Sequence, residues 1–73
     1  MLSTFQTKIA PVALDTSKII AVYQERVRSD IWALNIMFVN ANAPVTVFTG
    51  EHMDVNDLSF HILNDIENKY KTS

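Results

Sequence analysis

At 73 residues, 48% of them apolar and with a net charge of −2, the chain has material for one small core and not for a second. It contains no cysteine, which excludes disulfides and thiolate metal sites, and its slight acidity gives no support to the clustered basic surface on which phosphate binding rests. The amino terminus carries no basic segment followed by an apolar run, and the stretch from Ile31 to Val39 is far short of the roughly 20 residues of a membrane helix. A cytoplasmic protein without membrane attachment is therefore the expectation.

The first eight or nine residues alternate weakly, with Phe5, Thr7 and Ile9 against Thr4, Gln6 and Lys8, as in an edge strand or a loose arm, and Pro11 to Leu14 is extended or irregular. Pro11 stops the alternation because it cannot donate to a ladder. Asp15-Thr16-Ser17-Lys18 has the composition of a turn, since short polar side chains bond to nearby backbone amides. Lys18 to Val27 is rich in β-branched and aromatic residues and predicts a strand. Its alternation puts Ile20, Val22, Gln24 and Arg26 on one face and Ile19, Ala21, Tyr23 and Val27 on the other.

Arg28-Ser29-Asp30 then links to a second strand, Ile31 to Val39, which is apolar on both faces. Trp32, Leu34, Ile36 and Phe38 form one row, and Ile31, Ala33, Met37 and Val39 the other, interrupted only by Asn35. Asn40-Ala41-Asn42-Ala43 makes a turn, because asparagine tolerates positive φ, and Pro44 closes it. Val45 to Thr49 is a third strand, ended by Gly50.

From Asp54 to Tyr70 the period lengthens to about 3.6. Val55, Leu58, Ile62, Ile66 and Tyr70 form an apolar stripe, Asp54 is placed as the N-cap, and Lys69 and Lys71 suit the negative end of the dipole. The fold class is thus a small two-layer α+β domain spanning residues 1–73. It comprises an arm or extra strand over 1–14, an antiparallel meander over 18–49 and one helix over 54–70 packed on one sheet face.

One helix shelters one face of the sheet, so the row of Ile31, Ala33, Met37 and Val39 needs another cover. A second copy of the chain supplies it most simply, as a two-fold homodimer, with another protein as the other occupant. Phe60 falls well outside the helical stripe, with Leu63 between the two, and both extend the expected partner interface. The competing expectation is that the apolar residues of the first 14 positions fold across the open face themselves.

No pattern for catalysis is present: there is no glycine-rich phosphate loop, no dinucleotide fingerprint and no His-Glu-x-x-His run. Asp57, His61 and Asp65 stand in one helical row, and Glu51, His52, Asp54 and Asp57 crowd the helix start. Neither set supplies the convergent ligands of a metal site, so neither a cofactor nor a metal is expected. Lys18, Arg26 and Arg28 make the only basic cluster, read as lying at a hairpin tip and as a possible anion contact. The chain is therefore expected to be a non-catalytic interaction or accessory protein that associates with itself, with nucleic-acid or anion binding as the alternative.

Overall fold

The computed structural model describes residues 2–72, with side chains described for residues 2–70. Two short strands, β1 (Ser3–Phe5) and β2 (Val12–Leu14), pair antiparallel as a hairpin. A single 3-10 turn over Thr16–Lys18 leads into β3 (Ile19–Arg28), β4 (Ile31–Phe38) and β5 (Val45–Gly50). These form a second antiparallel sheet in the order β3-β4-β5. The chain ends in α1 (His52–Thr72). The α+β architecture expected from the alternation and the 3.6-residue period is the one observed.

Local chemistry explains each junction. Thr7 holds the loop of the first hairpin: its hydroxyl donates to the Ala10 carbonyl at 2.6 Å and accepts the Ile9 and Ala10 amides. Asp15 caps the 3-10 turn, its carboxylate accepting from the Ser17 amide and hydroxyl. Ser29 and Asp30 make a two-residue connection between β3 and β4. Asn40 adopts φ of 67° in the next turn, the role for which asparagine is suited.

The helix begins two residues before the expected start. The first intrahelical bond, from the Val55 amide to the Glu51 carbonyl at 3.0 Å, makes Glu51 the N-cap and puts Asp54 in the first turn. Gly50 is also more than a stop. A Cβ there would stand 3.0 Å from the Phe48 ring, so the missing side chain is what lets the ring lie over the end of β5.

Leu14, Leu34, Ile36, Phe48, Val55, Leu58 and Ile62 form the core, joined by Phe5, Val12, Ile19, Val22, Trp32, Phe38 and Ile66. Two expectations are corrected here. A bulge at Ile20 shifts the register of β3, so Ile19 turns inward opposite Phe38 and Ile20 is exposed. Tyr70 leaves the inner stripe: it is 79% accessible, at the rim of a groove lined by Thr16, Ser17, Ile19, Ile66 and Lys69.

The first hairpin does not cross the open sheet face. Phe5, Val12 and Leu14 join the same core as α1, so the hairpin lies beside the helix in its own layer.

Candidate interaction surface

On the open face of the sheet, β4 presents Ile31, Ala33, Asn35 and Met37. The register places Ala21, Tyr23 and Glu25 of β3 on one side of them and Thr46 and Thr49 of β5 on the other. Among the described residues no layer lies over this face. Ala33 and Asn35 are nonetheless buried by their neighbours, Ile31 and Met37 are half-buried, and Val39 lies exposed just past the strand.

A polar ladder crosses the centre of this face. The Asn35 amide donates to Glu25 at 2.9 Å, and the Thr46 hydroxyl donates to the Asn35 carbonyl oxygen at 2.6 Å. The apolar row singled out in β4 is therefore interrupted by polar residues on both neighbours. Single-strand patterns hide this, because it depends on which residues of β3 and β5 stand opposite Asn35.

The two flanks of α1 differ sharply. On the hairpin side, Asp65 Oδ2 accepts from the Thr16 hydroxyl at 2.8 Å and the Ser3 hydroxyl at 3.0 Å. Lys69 Nζ donates to Thr16 at 2.7 Å and Ser3 at 3.0 Å, and stands 3.3 Å from Asp65. Each hydroxyl thus accepts from the ammonium and donates to the carboxylate. The Thr16 hydroxyl, ahead of the Ser3 and Lys69 contacts, holds the Asp65 carboxyl below its ordinary value against the opposing effect of burial. Lys8 and Asp54 add an ion pair at 3.3 Å on the same side.

The opposite flank, above β3, is apolar and exposed. Met53, Phe60, Leu63 and Tyr70 are 72%, 64%, 50% and 79% accessible. At its amino-terminal end, His52 stacks on Trp32 with ring centroids 4.2 Å apart. His52 Nε2 donates to Gln24 Oε1 at 3.1 Å, and Gln24 Nε2 donates to Asn56 Oδ1 at the same distance. These contacts fix the side of the helix carrying Asn56, Phe60 and Leu63 toward the free edge of β3.

The remaining candidates are dispersed. Lys18 precedes β3 while Arg26 and Arg28 end it, so roughly 25 Å of extended chain separates them and they make no shared anion site. His61 stands 3.6 Å from Asp57, whereas Asp65, the third member of that row, is engaged with the hairpin. Among the described residues no three histidine, aspartate or glutamate side chains group as metal ligands, and no helix is long and apolar enough to cross a membrane. The concave regions are open grooves, such as one of about 270 Å³ between the Thr7–Pro11 loop and Val47 and Phe48 of β5. No protein-family model matches this chain, and no curated protein and no solved structure is significantly similar to it.

Proposed function

We propose that this protein is a small, non-catalytic interaction protein that works as a self-associated dimer. The observation that carries the reading is the uneven distribution of exposed apolar side chains. Polar groups on the hairpin flank of α1 are matched by internal partners, while large hydrophobic residues collect on the β3 flank of α1 and around the open sheet face. A chain with so small a core gains more from covering such tracts than from leaving them wet.

Two surfaces enter this reading. One is the sheet face with Ile31, Ala33, Met37 and Val39; the other is the helix flank with Phe60 and Leu63. Light scattering over a dilution series tests the reading: a mass twice the 8.3 kDa of the chain is expected at high concentration, falling on dilution. A mass of one chain at every concentration would overturn it.

A further inference from the structure

We infer that self-association runs through the β3 flank of α1, by antiparallel pairing of two copies of the helix beside the free edges of their β3 strands. This rests on the dimeric reading above and adds the surface, the orientation and the register. The flank residues Met53, Asn56, Phe60, Leu63, Glu67 and Tyr70 are spaced alternately by three and four, the repeat of a two-helix seam. Their positions are symmetric about a point between His61 and Ile62. When a second copy runs the opposite way, Met53 meets Tyr70 of that copy, Phe60 meets Leu63, and Asn56 meets Glu67.

Charge selects the orientation. Glu67 is the one acidic residue on the seam, and antiparallel pairing sets it against an amide that can donate to it. Parallel pairing would set the two Glu67 carboxylates together. Antiparallel helix dipoles add to the preference.

The same two-fold axis suits the sheet. β3 is an edge strand with no strand beyond it among the described residues, and the hairpin fills the β5 side of the helical layer, which leaves the β3 side of α1 open. The seam from Met53 to Tyr70 is about 26 Å long. The open sheet face is the poorer surface for pairing two copies, because stacking it on itself would desolvate two Glu25 carboxylates in one layer.

Disulfide trapping tests the register, since the chain has no native cysteine. Met53→Cys and Tyr70→Cys both fall at exposed positions, and thermal unfolding of each variant verifies its fold. Mixed and oxidised, the two variants are expected to give a heterodimer, and neither alone a homodimer, because antiparallel copies hold like positions about 26 Å apart. Homodimers from Met53→Cys alone, or no cross-link from the mixture while the wild type scatters as a dimer, would overturn the helix pairing and leave the dimeric reading standing. A wild type that is monomeric throughout overturns both. Phe60→Asp is expected to weaken association about 30-fold or more, as loss of a central aromatic anchor does. An unchanged affinity there, with association lost in Met37→Asp, would transfer the contact to the sheet face.

Discussion

On its hairpin side α1 meets Ser3, Thr16 and Lys8 with Asp65, Lys69 and Asp54, and each of these polar side chains finds a partner within the chain. On its β3 side it offers Met53, Phe60, Leu63 and Tyr70 to the outside. Both flanks belong to one helix and one core, yet the first is closed by the chain's own hairpin and the second is left for something else. On the proposal above, the hairpin flank serves stability and the β3 flank association, and substitutions on the two should separate accordingly.

The largest expected effect comes from the hairpin flank. Leu14→Ala removes a core anchor of β2 and should cost about 2–4 kcal/mol in denaturant unfolding, whereas Phe60→Ala should stay within about 0.5 kcal/mol under conditions where the protein is monomeric. Equal losses at the two sites would erase the distinction. Next in size is Phe60→Asp, which should reduce the association constant by the factor given above while leaving monomer unfolding nearly unchanged.

A smaller effect belongs to Asp65. Its carboxyl is held below the ordinary value of 3.8, chiefly by the Thr16 hydroxyl. Its contribution is therefore complete above that value and fades as the pH falls through the lowered folded value. Asp65→Asn should cost about 1–2 kcal/mol near neutrality and flatten this part of the acid limb, seen as a smaller drop in stability below about pH 4 than in the wild type. An acid limb identical in the two proteins would remove Asp65 from the account. The smallest effect is Glu25→Gln on the open sheet face. An amide can still accept from Asn35, so unfolding should change by less than about 0.5 kcal/mol. A pronounced change in association on this substitution would bring the sheet face back as the contact.

Much of the fold was legible because it follows from local patterns. The doubly apolar run from Ile31 to Phe38 marked the central strand, Asn40 its closing turn, and Val55, Leu58 and Ile62 the inner helical stripe. What escaped depended on relations between strands. The bulge at Ile20 reverses which side of β3 faces inward, and no single-strand alternation records it. The ladder of Glu25, Asn35 and Thr46 exists only in the register of three strands. The stacking of His52 on Trp32 likewise joins the helix start to β4 across the sheet end.

The site was legible in part. Phe60 and Leu63 stood out because they broke the inner stripe. Their extension to Met53 and Tyr70 required knowing that these two are exposed on the same flank. Lys18 read as a companion of Arg26 and Arg28 because the three are close in sequence, whereas the ten residues of β3 are extended and hold Lys18 at the far end from the arginines.

The most direct test of the association flank is residue-resolved NMR of the wild type over a dilution series. Concentration-dependent shifts are expected at Met53, Phe60, Leu63 and Tyr70 and along the outer edge of β3, with Ala33, Asn35 and Met37 unmoved. Shifts confined to Ile31, Met37 and Val39, with the helix flank silent, would contradict the helix pairing.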